Sequence, residues 1–107
     1  MKRFMSVVLI VLMVLTVTSM TMAADYKIGV VTGTVSQGED EYRGAENVSA
    51  KYGDMIKHVI YPDNFMQEQE TTIAQIVQLA SDRSVKAIVV SQAVPGTVAA
   101  IRQVKDM

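Results

Sequence analysis

The sequence predicts an α/β protein, a three-layer arrangement in which a parallel sheet of three strands carries helices on both faces. Three observations carry this. Short apolar, β-rich runs recur three times after residue 25. A helical hydrophobic pattern follows each run. Turn and cap residues (Gly33, Gly53, Pro62, Pro95) punctuate the boundaries. Strands alternating with helices give a parallel sheet with right-handed crossovers. The order β-α-β-α-β-α is half of a doubly wound fold.

The first strand spans Tyr26 to Thr32 and ends at Gly33, as a buried strand does. The loop Gly33-Thr34-Val35-Ser36-Gln37-Gly38 follows, and Ser36 with Glu39 three residues on makes a capping-box pattern. The first helix then runs to Tyr52, with Tyr42, Ala45, Val48, Ser49 and Tyr52 on one face. Gly53 stands where a C-terminal αL helix cap is expected.

The second strand is expected from Met55 to Tyr61, stopped by Pro62-Asp63-Asn64. Asn64 with Gln67 starts the second helix, whose stripe is Gln69, Ile73, Ile76, Val77 and Ala80. The third strand is Lys86 to Ser91. Pro95 suits the first position of the third helix, where its missing N–H costs nothing. Val98, Ile101 and Val104 form that helix's inner stripe. The region from Asp25 to Met107 reads as one unit.

The chain opens with a secretory leader. Lys2 and Arg3 precede an almost wholly apolar stretch from Phe4 to Val17, and small or polar residues follow to Ala23-Ala24. This is the order that signal peptidase reads. Thr21 and Ala23 fit the small-residue positions, which places the cut after Ala23; a cut after Ala24 fits the same pattern. The apolar stretch falls short of the roughly 20 residues that span a bilayer. Residues 1–23 are thus expected to be removed, leaving a periplasmic or secreted protein with no membrane span. The chain has no cysteine, which excludes disulfides and a lipid anchor on cysteine.

After Ala23 there are 84 residues with eight basic and eleven acidic side chains, net −3. That balance gives no basic patch for nucleic acid. Five of the eight methionines precede Ala23, so methionine richness is a property of the leader and not a metal-binding tract. Some 84 residues suffice for one small domain. A half-sheet with an open edge is an aggregation hazard. The reading that follows is the first part of a longer lobe, with a small protein that dimerises as the alternative.

Gly33 and Gly38 have the spacing of a phosphate loop, but Glu39-Asp40-Glu41 stand where that loop needs Lys and Ser or Thr. Nucleotide binding is not expected, nor is a nicotinamide cofactor, since no G-x-G-x-x-G is present. The loop still sets N–H groups and hydroxyls at the carboxyl end of the sheet, where open α/β folds bind ligands. The acidic run reads as a solvated first turn that complements the helix dipole. His58 is the lone histidine, placed in mid-strand, and reads as structural, without metal and without a catalytic triad. Tyr42 lies one turn into the first helix, near the loop mouth, where a ring can stack on a ligand or pack as core. Ser91 and Gln92 are polar groups at the end of a buried strand. Asn64 reads as a helix cap.

Segments of the chain resemble the type I periplasmic binding proteins. Tyr26-Lys27-Ile28-Gly29-Val30-Val31 looks like that family's first strand, and Gln69 to Ala80 like its second helix. Val85 to Ser91 is similar to the strand that follows, and Pro95 to Lys105 to the next helix. The likeness spans residues 26–107 and about the first third of a family member. It is nearest to an uncharacterised bacterial branch distantly related to the basic-membrane-protein and nucleoside-binding receptors. The resemblance implies a Rossmann-like lobe of a solute-binding protein, not an enzyme, with no cofactor and no metal. It implies a small-molecule ligand and a membrane transporter or sensor as partner. Ligand-facing groups would come from Thr32, Gly33, Ser36, Gln37, Tyr42, Ser91 and Gln92. Sugar receptors place an acidic residue after the third strand. Ser91-Gln92-Ala93 stands there instead, which speaks against a sugar. The other expectation is a flavodoxin-like enzyme half-domain, for which no convincing nucleophile–base pair is present.

Overall fold

The computed structural model describes residues 25–107; the expected leader and its cleavage site lie outside them. β1 spans Lys27–Thr32, α1 Glu39–Tyr52, β2 Ile56–Ile60, α2 Gln69–Ser81, β3 Val85–Val90 and α3 Thr97–Lys105. A single 3₁₀ turn, Gly53–Met55, joins α1 to β2. The protein is α/β, and the three strands form a parallel sheet in the order β2-β1-β3. In β1, Ile28 pairs with Ile56 on one side and Ala87 on the other. Among the described residues no helix is long and apolar enough to cross a membrane.

The central strand is the most enclosed part of the sheet, with Val31 and Thr32 at 0 % and 1 % exposure. The main core gathers Val31, Tyr61, Ile76, Leu79, Val94 and Ala100, with Val59, Phe65, Ile73, Ile88 and Val90 packed against it. Each large apolar side chain buried there contributes about 1.5–3 kcal/mol. α2 and α3 lie together over this face, and α1 lies over β1 and β2.

Several boundaries differ from the sequence expectation, each for a local reason. Ser36 does not cap α1. Gly38 holds the cap position without a side-chain bond, because the Ser36 hydroxyl is committed to Asp63 at 2.9 Å. Gly53 does end α1, its N–H bonding Ser49 O, but at φ 58° and ψ −132° it lies outside the expected αL conformation, because the chain turns at once into the 3₁₀ segment Gly53–Met55. Asn64 does not open α2. The Gln67 and Glu68 N–H groups bond Asn64 O in a separate turn, and the helix begins at Gln69.

The inner stripe of α2 also differs, since Thr72, Ile76 and Leu79 are the buried positions and Gln69 is exposed. Ile73 and Ile76 of the expected stripe do face the core, while contact with both the sheet and α3 widens the buried face to include Thr72 and Leu79. α3 begins at Thr97, after Pro95, with Gly96 at φ 99° as its cap. A Cβ on Gly96 would lie 3.0 Å from Gln69 O, so glycine lets α3 start against the first turn of α2. The inward residues of α3 are Thr97 and Ala100, while Val98 is 62 % and Ile101 53 % exposed. Small residues permit the close α2–α3 approach and turn the expected Val98-Ile101-Val104 stripe off the core.

Candidate ligand-binding site

The loops at the carboxyl end of the sheet converge. The β1–α1 loop is folded on itself, with the Gln37 and Gly38 N–H groups both bonding Thr34 O at 3.1 Å. It is also held to the loop after β2. Thr34 and Ser36 both direct their hydroxyls at Asp63 Oδ1, and their oxygens lie 2.9 Å apart. These donors hold the Asp63 carboxyl below its usual range. Gln37 Nε2 donates to Asp63 O at 2.7 Å. Its Oε1 is buried without a partner among the described residues.

Gly33 sits beneath this arrangement. A Cβ there would come within 2.7 Å of Gln37 Oε1 and 2.8 Å of Tyr61 Oη. A side chain at position 33 would therefore displace Gln37 or Tyr61 where the loop closes over Tyr61. Tyr61 is almost fully buried, lies edge-on to Phe65 and donates its hydroxyl to Gln92 Oε1 at 3.0 Å. Burial, with Glu41 nearby, raises its pKa. Because Oε1 of Gln92 accepts from Tyr61, its amide nitrogen remains as a donor. The Ser91 hydroxyl lies 3.1 Å from Glu41 Oε2 and 3.2 Å from Val31 O.

Of the residues singled out from the sequence, Gly33, Ser36, Gln37, Ser91 and Gln92 are thus held together around the ends of β1 and β3. Thr32 is buried, and its hydroxyl is engaged by Gly33 O at 2.9 Å and His58 Nε2 at 2.7 Å. Tyr42 packs its ring on His58, 5.3 Å between centroids, so its contact is with β2. His58 itself is part of the fold, and burial lowers its pKa. Thr34 lies within the loop the sequence singled out, whereas sequence reasoning did not select Asp63, Tyr61 or Glu41 as site residues. The one available signal was Asp63 directly after Pro62, at the end of a strand.

Acidic charge predominates at the carboxyl end of the sheet, whereas the amino end is mixed, with Asp25, Asp54, Asp82 and Asp106 among its basic residues. Lys27, Lys51, Arg83, Lys86, Arg102 and Lys105 lie at strand starts and helix ends, which is the amino end. Glu39, Asp40, Glu41, Asp63, Glu68 and Glu70 lie at the carboxyl end. The nearby cation, Arg43, is paired with Glu39 at 3.7 Å and Glu46 at 2.8 Å. An anionic ligand would meet repulsion at this mouth.

The family model described as a protein of unknown function, DUF3798, matches residues 26–107. The chain belongs to the DUF3798 family. An uncharacterised protein of Treponema pallidum (strain Nichols) is 34% identical over 88 residues, covering 76% of this chain and 40% of that protein. A crystal structure of a proposed transcriptional regulator from Clostridium difficile 630 matches with a TM-score of 0.70 and 33% identity. The match covers 79% of this chain and 27% of that one. This DUF3798 chain therefore spans less than half the length of either relative.

Proposed function

We propose that this DUF3798 chain forms part of an exported protein that binds a small neutral or cationic solute. The observation that carries the reading is the hydroxyl and amide set of Thr34, Ser36, Gln37, Ser91 and Gln92, fastened by Asp63, Glu41 and Tyr61. Thr34, Ser36 and Gln37 follow β1 and are fastened to the loop after β2, while Ser91 and Gln92 follow β3. The chain leaves β1 toward one face and β3 toward the other, and open α/β sheets take ligands at such a reversal. The likeness to type I periplasmic binding proteins and the leader-like first 23 residues support export and transport or sensing.

A binding role accords better with these residues than a catalytic one, since the His58 imidazole nitrogen is tied to the buried Thr32 hydroxyl. The acidic mouth favours uncharged or amine-bearing solutes over phosphorylated ones. Thermal-shift screening of this chain and of the full-length Treponema pallidum relative tests the reading. Nucleosides, amino acids, peptides and amines should raise the melting point of at least one of them, and phosphorylated analogues should not. A flat response across all classes overturns it. The neighbour's description as a regulator offers a second outcome: retardation of duplex DNA by the chain would replace solute binding.

A further inference from the structure

We propose that the solute carries a primary ammonium group and that Glu41 is the residue that selects it. This rests on the solute-binding reading above and narrows it from neutral or cationic solutes to amines.

Glu41 is the third residue of α1, where a glutamate can turn back to the backbone N–H at the helix start. It does not, for α1 has no side-chain cap. Its Oε2 lies instead 3.1 Å from the Ser91 hydroxyl, at the end of β3. Glu39, in the same acidic run, faces Arg43 at 3.7 Å. Among the described residues no cation is paired with Glu41. The residue is exposed, so its carboxylate is open to a solute. Burial first, and then the Glu41 charge, hold the Tyr61 hydroxyl protonated. The field of the carboxylate therefore reaches the floor of the site.

A second acceptor is short of a donor. Gln37 Oε1 is buried without a partner among the described residues, while its amide nitrogen is committed to Asp63 O. Gln37 Oε1 and Tyr61 Oη lie within 2.7 and 2.8 Å of one point, the place of a Cβ on Gly33. Tyr61 directs its hydroxyl at Gln92 Oε1 and not at Gln37.

The site thus holds acceptors in excess: a carboxylate without a cation and an amide oxygen without a donor. A primary ammonium answers both, with one positive charge and three N–H groups. A guanidinium is less suited, because it seeks both oxygens of a carboxylate at once and Oε2 is already engaged by Ser91. A quaternary ammonium has no N–H to give.

The test titrates the 107-residue protein with butylamine, glycinamide and phenethylamine, each against its hydroxyl counterpart: butanol, glycolamide and 2-phenylethanol. Binding is read from the backbone amide NMR signals of Glu41, Ser91 and Gln92. At least one amine should bind about tenfold or more tightly than its counterpart, as a hydrogen bond to a charged group predicts. Glu41→Gln can still accept from Ser91 and should bring that ratio close to one. Glu39→Gln, at the residue that faces Arg43, should leave the ratio unchanged. Equal binding of amines and hydroxyl counterparts overturns the proposal and leaves solute binding standing. So does an amine preference that survives Glu41→Gln, or a response to other solutes but to none of the three amines. Signals that no solute moves overturn both the proposal and the binding reading beneath it.

Discussion

Thr32 and His58 meet diagonally across the β1–β2 pair, hydroxyl to Nε2 at 2.7 Å. The Thr32 hydroxyl lies within hydrogen-bond reach of both Gly33 O, at 2.9 Å, and Nε2, and which of the two it donates to follows from the imidazole tautomer. The contact joins the two strands and leads directly into the candidate site through Gly33.

Burial favours the neutral imidazole, so the folded pKa of His58 lies below its ordinary value of 6.5. The stabilising contribution is fully present above the unfolded value. It is lost as pH falls below about 6.5 toward the folded pKa, where the unfolded chain binds the extra proton. Urea midpoints should therefore decline between pH 7.5 and 5.5. His58→Gln should flatten that slope, and an unchanged slope would refute the assignment.

Gly33→Ala forces a methyl against Gln37 Oε1 and the Tyr61 hydroxyl. The neighbours cannot both yield, because Tyr61 is bonded to Gln92 and Gln37 to Asp63. Overpacking of this type costs about 1–3 kcal/mol. Chemical denaturation should show that loss, and any solute-induced thermal shift should weaken as well.

Asp63→Ala removes the shared acceptor of Thr34 and Ser36. The carboxylate is exposed, so global stability should change little. The loop from Gly33 to Gly38 should open more often, giving roughly tenfold faster amide exchange there. Unchanged loop exchange would show that Asp63 does not fasten it.

Asp82 links α2 to two neighbours. It pairs with Lys57 of β2 and accepts from the Ser84 N–H at 2.9 Å and the Ser84 hydroxyl at 2.5 Å. Lys57, first, and then Ser84 hold its carboxyl well below the usual carboxylate range. The stabilisation is present above pH 3.8 and lost as pH falls through the lower folded value. Asp82→Asn should reduce the loss of stability between pH 4 and pH 2, measured by thermal melts.

Gly96→Ala tests the junction of α3 with α2. The backbone is at φ 99°, and the new Cβ would meet Gln69 O at 3.0 Å. Strain of the backbone and crowding together should cost about 1–3 kcal/mol. Gly44→Ala, at an open helical site, is the control and should be neutral or stabilising.

The order of elements was legible in the sequence because apolar runs and helical stripes are local properties. What the sequence did not reveal was set by contacts between elements. The apolar stripe of α3 pointed to Val98 and Ile101, yet the close passage of α3 over α2 needed the small side chains Thr97 and Ala100 inward. Ser36 looked like a cap when read beside Glu39, but a carboxylate 27 residues away competes for its hydroxyl. For the site, the Gly33–Gln37 loop and Ser91-Gln92 were identifiable as polar groups at strand ends. Asp63 was not, because its role depends on β2 lying next to β1.

The placement of β1 between β2 and β3 also bears on how the chain acquires its structure. Ile28 meets Ile56 across one edge and Ala87 across the other. The first pairing closes a short loop, the second one about twice as long, and longer closures cost more chain entropy before they are rewarded. The β1-α1-β2 unit can therefore assemble while β3 is still unplaced. During synthesis, the interval before β3 docks is when the exposed side of β1 is open to capture by a wrong strand.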